Sequence, residues 1–159
     1  MILDPDQRDI MTTCFGALGE LYVYLELRKE GRPVELTTNV FDDVKDMTCE
    51  GKLIEVKSQV AWIRENAFTM AVSQLLKCQV VDELYFVCVP HPSPKLYDPY
   101  AGWIYKLMKG TWNYRVKAPG DYRQMVLIPR EQESVKRWKQ LTRDQITAIE
   151  RYSVIEVPA

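Results

Sequence analysis

Apolar residues recur at helical spacing from Met11 through Cys14, Leu18, Leu21 and Leu25 until Gly31 interrupts them. With Asp4 placed to cap and Pro5 in the first turn, this pattern predicts a long leading helix. The period then changes. Pro33-Val-Glu-Leu-Thr-Thr38 reads as a short strand, and residues 44–49 and 52–59 alternate in character around Glu50-Gly51, which signals a β-hairpin. Ala67 to Gln79 carries Phe68, Met70, Ala71, Leu75 and Leu76 with neither Gly nor Pro, and predicts a second helix. Leu84 to Val89 is a short apolar run of the kind that forms a buried strand. The prolines between Pro90 and Pro99 make a loop. Beyond it, Trp103–Met108, Trp112–Lys117 and Met125–Ile128 read as strands. The charged stretch Glu131–Gln140 reads as helical, and Thr142-Arg-Asp-Gln145 is a capping box that opens a terminal helix. The order α-β-β-β-α-β, followed by more strands and helices, predicts a mixed α/β or α+β domain.

Composition narrows the class. At 159 residues, 47% hydrophobic and 27% charged, the chain fits one globular domain and excludes collagen-like, coiled-coil and disordered classes. No stretch approaches the roughly 18 apolar residues of a spanning helix, and Met1-Ile-Leu-Asp-Pro-Asp6 has neither the basic nor the apolar region of an export signal. The expectation is a cytoplasmic protein with no membrane partner. Cys14, Cys49, Cys78 and Cys88 form no C-x-x-C pair, and the one histidine, His91, sits among prolines. That argues against a structural zinc site and against Ser-His or Cys-His catalysis, and the thiols read as buried and reduced.

The hairpin carries the chemistry. With Glu50 and Gly51 at its centre, Cys49 pairs with Lys52, Thr48 with Leu53, Met47 with Ile54, and Asp46 with Glu55. Directly opposed like charges are destabilising, and a bound cation removes the penalty. Alternation puts Leu53, Glu55, Lys57 and Gln59 on one face of the strand and Ile54 and Val56 on the other. Two close carboxylates suit Mg²⁺ or Mn²⁺, hard ions that favour oxygen ligands, and a lysine two residues on can stabilise a developing oxyanion or orient a water. These are the parts of metal-assisted phosphodiester hydrolysis. The same Glu-x-Lys pattern also occurs as a solvated salt-bridge face. In the leading helix, Glu20 shares a stripe with Gly16, Val23 and Leu27, where an unpaired charge is costly.

Gly16-Ala-Leu-Gly-Glu20, Asp46, and Gly51-Lys-Leu-Ile-Glu55-Val-Lys57-Ser-Gln59 together resemble the PD-(D/E)XK nuclease superfamily, whose restriction-endonuclease-like fold includes archaeal Holliday-junction resolvases. The resemblance spans residues 13–89, about half the chain. It implies a restriction-endonuclease-like αβββαβ core with a central mixed sheet, a C-terminal strand and helix extension, and a divalent-metal-dependent endonuclease acting on DNA. Asp46 and Glu55 would then hold Mg²⁺ or Mn²⁺ with the Val56 carbonyl as a third ligand. Lys57 would be the catalytic lysine, Glu20 the helix carboxylate, and Gln59 the polar residue two places after the lysine. Lys45 stands where the family name has proline, and Asp43 competes with Asp46, because a bulged hairpin would bring it opposite Glu55. Relatives often act as homodimers. A structure-specific substrate in recombination, repair or phage DNA processing is the favoured expectation. The rivals are a noncatalytic nucleic-acid-binding or assembly protein on the same scaffold and an RNA-cleaving enzyme of the same fold.

The near-neutral total of 21 basic against 22 acidic residues conceals an asymmetry. Between Lys95 and Arg143 there are 11 basic and 4 acidic residues, interleaved with eight aromatics. Basic side chains neutralise phosphates, and aromatic faces stack on bases. Lys106, Lys109, Arg115, Lys117 and Arg123 are the candidate DNA contacts. In the 112–117 stretch, Trp112, Tyr114 and Val116 are expected to face the core, behind a basic outer row of Arg115 and Lys117.

Overall fold

The computed structural model describes residues 4–36, 47–60, 63–93, 95–118 and 124–153. Helix α1 spans Pro5–Lys29 and starts at a reciprocal cap: Gln7 N–H donates to the Asp4 carboxylate at 2.8 Å, and Asp4 N–H donates to the Gln7 side chain at 3.1 Å. Its buried row is Gly19, Tyr22, Val23 and Leu27. The predicted stripe is only partly buried, because Leu21 and Leu25 are each 43% exposed. Apolar and polar residues are spread around the helix without one dominant apolar face, so spacing alone does not select the side that meets the sheet.

Strands β1 (Val34–Leu36), β2 (Met47–Cys49) and β3 (Lys52–Val60) form an antiparallel meander. The β2–β3 register is Met47↔Ile54, Thr48↔Leu53 and Cys49↔Lys52, as the alternation predicts. Glu50 (φ 53°) and Gly51 (φ 80°) make the two-residue turn. Positive φ at both central residues matches the twist of the strands, and glycine at the second relieves the strain. The segment predicted as one helix over Ala67–Gln79 divides instead into strand β4 (Ala67–Ala71), a 3-10 turn and the short helix α2 (Leu75–Val80). Pairing with the distant strand β8 (Met125–Pro129) decides the matter, since a short apolar run carries no period of its own.

Strand β5 (Glu83–Val89) returns parallel to β3, and β6 (Trp103–Met108) follows antiparallel. The stretch Glu131–Gln140, expected to be helical, yields strand β9 (Lys136–Gln140) on the outer edge of β6. Lysine-rich strands suit a sheet edge because their charge discourages further pairing. Thr142 caps the last helix, α3 (Arg143–Glu150), with the predicted box. The result is a mixed six-stranded sheet in the order β1-β2-β3-β5-β6-β9, and a three-stranded sheet β4-β8-β7, where β7 is Arg115–Lys117. The architecture is thus mixed α/β, with β4 inserted between the meander and α2.

Strand β5 is buried on both faces. Tyr85, Val87 and Val89 pack with α1 and α3, whereas Leu84, Phe86 and Cys88 pack with β4 and β8, where the Phe68 and Phe86 rings stack at 4.4 Å. Cys49, Cys78 and Cys88 are buried in these two cores. The loop after β5 is anchored by a buried ion pair: Arg130 Nη1 donates to Asp98 Oδ2 at 2.7 Å, its Nε donates to Asn66 Oδ1 at 3.1 Å, and its guanidinium lies over the Tyr100 ring. Within that loop, His91 Nδ1 accepts from Ser93 N–H at 3.0 Å. No described helix is long and apolar enough to cross a membrane.

Gly19 sets the distance between α1 and the sheet. A Cβ there would lie 1.7 Å from Ser58 Oγ and 3.0 Å from Ser58 Cβ. Gly19→Ala is expected to cost about 1–3 kcal/mol through overpacking. Ser58→Ala, which removes a buried hydroxyl without a hydrogen-bond partner among the described residues, should change stability by less than about 1 kcal/mol. The double variant should recover part of the loss. Urea melts of the four proteins check this, and a fully additive double variant contradicts it.

Candidate active site

Strand β3 builds the site through its two-residue period. Ile54 and Val56 are buried toward the helices, so Glu55, Lys57 and Gln59 face the second layer, where β4 and α2 lie. Glu55 is 1% exposed. A carboxylate so deep needs cations or donors around it, and two lysines supply them. Lys57 Nζ lies 3.4 Å from Glu55 Oε1, and Lys77 Nζ of α2 lies 3.4 Å from Oε2. Lys57 also donates to Gln74 Oε1 at 2.8 Å, which fixes its ammonium between the strand and α2.

Gln74 and Lys77 are the residues that sequence reasoning missed. They are three apart on one helical face, and Lys77 is the lone charge in Leu75–Val80. A solitary lysine in an apolar helix is the available signal.

Gln59 serves another purpose. Its amide accepts from Thr69 N–H at 2.7 Å and donates to Thr69 O at 2.9 Å, so it fastens β3 to β4. Val56 directs its side chain into the helix-side core, opposite Tyr85 in the β3–β5 ladder. Glu20 follows Gly19 on α1 and is half-buried. Helix α1 covers the face of β3 that carries Ser58, which is the face opposite Glu55 and Lys57. Asp43 and Asp46 lie outside the described residues. The ladder of β2 begins at Met47, one residue after Asp46.

Among the described residues, no group of three or more His, Cys, Asp and Glu is placed to hold a metal ion. Glu55 offers the buried oxygen donors a hard divalent cation prefers, and the rest of the expected donor set falls on Asp43 and Asp46.

Comparisons of the chain with family models, with curated proteins and with solved structures give no match.

The basic candidates divide by partner. Lys106 Nζ lies 2.8 Å from the buried Glu83, which also receives both terminal nitrogens of Arg32. Lys106 also lines a cleft of about 510 Å³ with Thr111, Ser134, Lys136 and Trp138, on the helix side of the sheet and away from Glu55. Arg115 Nη2 pairs with Glu65 at 2.9 Å, and Lys117 pairs with the other oxygen of the same carboxylate. Hydrogen bonds from Lys117 and Arg115 hold the Glu65 carboxyl below its ordinary range. The expected aromatic inner row is absent there: Tyr114 and Val116 are 41% and 51% exposed, and Trp112 alone of the three packs on the core. Strand β7 lies at the edge of its sheet, with Arg115 and Val116 exposed and Lys117 half-buried. Lys109 is exposed in the turn after β6, beside Gln79 and Trp112. Arg123 lies outside the described residues.

Proposed function

We propose that this protein is a divalent-metal-dependent endonuclease of the PD-(D/E)XK type that hydrolyses DNA phosphodiester bonds. The observation that carries the reading is the buried Glu55 with Lys57 at 3.4 Å on one face of β3, the second strand of the hairpin, which runs parallel to β5. Glu55 would hold Mg²⁺ or Mn²⁺ together with Asp46, or with Asp43 in its place. A bound ion of this kind supplies Lewis acidity to the scissile phosphate and lowers the pKa of its water. Lys57, oriented by Gln74, would bring its ammonium to the attacking water or to the charge that develops on phosphorus oxygens. Lys77 would offset the negative charge of Glu55 from the α2 side. The exposed cations of β7 and Lys109 would meet the phosphate backbone.

A second reading, a noncatalytic nucleic-acid-binding protein on this scaffold, draws support from the same cluster, because two lysines against one carboxylate balance Glu55 without a metal. One experiment separates the two. A working site stabilises the fold through linkage, by about 2.7 kcal/mol at one hundred times the dissociation constant. Mn²⁺ or Ca²⁺ should therefore raise the melting temperature, and parallel incubation with plasmid, single-stranded DNA, branched DNA and RNA in Mg²⁺ or Mn²⁺ should cleave DNA. Neither stabilisation nor cleavage would leave the noncatalytic reading. Cleavage of RNA alone would move the activity to RNA.

A further inference from the structure

The cleft on the helix side of the sheet, about 510 Å³ in volume, is separate from the Glu55 site and within the size range of small-ligand sites. Met108 and Trp138 give it an apolar wall, and Lys106 and Lys136 line it beside them. These two lysines are direct partners across the β6–β9 ladder, so they share one face of the sheet. Like charges placed in this way are destabilising, and an anion between them removes the penalty. Glu83 does not fill that role alone. Its carboxylate already receives both terminal nitrogens of Arg32, so Arg32, Lys106 and Glu83 together keep a net positive charge, to which the exposed Lys136 adds.

The rest of the rim accepts hydrogen bonds rather than donating them. Thr111 Oγ1 donates to Met108 O at 2.7 Å, and Ser134 Oγ donates to Gln132 Oε1 at 2.9 Å. With those protons engaged, both hydroxyls offer lone pairs to a ligand, and Glu133 adds a carboxylate on the same rim. A fitting ligand has a flat apolar body, N–H or O–H donors on that body, and a negative charge at one end.

We propose that this cleft binds a nucleoside phosphate that carries an exocyclic amine. The base lies against Met108 and Trp138, and the phosphate sits between Lys106 and Lys136. The amine and sugar hydroxyls donate to Glu133, Thr111 and Ser134. A simple inorganic anion would leave the apolar wall in water, and an uncharged aromatic would leave the two lysines opposed. Free nucleotides and the terminal nucleotide of a strand share the required chemistry. The inference stands independently of any cleavage activity, because the cleft and Glu55 are on opposite faces of the sheet.

Isothermal titration calorimetry of the full chain tests this with adenosine monophosphate, adenosine, and purine riboside monophosphate, which lacks the amine. Adenosine monophosphate should bind with a dissociation constant below about 1 mM, and the other two at least about 10-fold more weakly. Lys136→Glu should weaken binding by a similar factor, and a circular dichroism melt checks that this variant, altered at an exposed position, is folded. Glu133→Ala should remove most of the preference for the amine. A terminally phosphorylated oligoadenylate, titrated with a chelator present so that no strand is cut, identifies the source. Tighter binding than the mononucleotide assigns the cleft to strand ends, equal or weaker binding assigns it to free nucleotides, and Lys136→Glu should reduce both. The proposal is overturned if adenosine monophosphate shows no binding in this range, or if Lys136→Glu leaves its binding unchanged. Adenosine or purine riboside monophosphate binding as tightly as adenosine monophosphate would overturn it as well.

Discussion

Glu55→Gln is expected to lower metal-dependent DNA cleavage by at least about 100-fold while the chain stays folded. The substitution keeps the shape of the side chain and removes its charge, which is the property a hard cation needs. The structural cost is limited because the two cations left behind are not sealed in: the Lys57 and Lys77 side chains are 23% and 19% exposed. Breaking a fully buried pair costs about 3–5 kcal/mol, whereas lysines that can reach water should reduce the loss here to about 1–2 kcal/mol. Lys57→Ala supplies the contrast. It should impair cleavage similarly yet preserve the Mn²⁺-induced rise in melting temperature, since Lys57 has no role as a metal ligand. Cleavage assays on folded protein, paired with metal titrations of melting temperature, check both outcomes. Wild-type cleavage by Glu55→Gln would remove Glu55 from the chemistry, and with it the proposed mechanism.

The parts of this site visible in the sequence are those fixed by local geometry. Alternation along β3 and the Glu50-Gly51 turn determine the face on which Glu55 and Lys57 emerge, so their proximity follows from residues adjacent in the chain. Gln74 and Lys77 reach the same point only because β4 pairs with β8, some sixty residues on, and carries α2 over β3. Nothing within Ala67–Gln79 records that pairing, and an apolar run of this length is compatible with either period. Strand β9 was hidden for a related reason. Lys136–Gln140 has the composition of a solvated helix, and its strand character comes from the free edge of β6. Charge counting likewise located a basic segment but not its partners. Glu65 and Glu83, which engage Arg115, Lys117 and Lys106, lie outside that segment and meet it only in the folded chain.

Glu83→Ala is expected to be among the most destabilising substitutions in the protein, at about 2–4 kcal/mol near neutral pH. Glu83 is 1% exposed at the start of β5. It accepts two hydrogen bonds from Arg32, at 3.0 and 2.8 Å, and one from the Tyr85 hydroxyl at 3.1 Å, while Lys106 Nζ lies 2.8 Å away. Burial by itself would raise the carboxyl pKa. The hydrogen bonds and charges of Arg32 and Lys106 outweigh it and bring the group from an ordinary 4.5 down to about 2. Burial, followed by the charge of Glu83, pushes the Tyr85 phenol upward, so it remains a donor at every relevant pH. The folded pKa is below the unfolded one, so the stabilisation is fully present above about 4.5 and disappears as pH falls through about 2. The shift corresponds to a stabilisation on the order of 3 kcal/mol, of which about half should be gone by pH 3. Replacing Glu83 leaves Arg32 and Lys106 without their carboxylate at neutral pH but removes nothing that a strongly acidic solution has not already neutralised. Urea melts of the wild type and Glu83→Ala should therefore differ most at pH 7 and converge toward pH 3. The remaining carboxylates titrate alike in both proteins, so the difference isolates Glu83. A gap that is the same at both pH values would mean that packing around the side chain, rather than its charge, holds α1 and β6 to the start of β5.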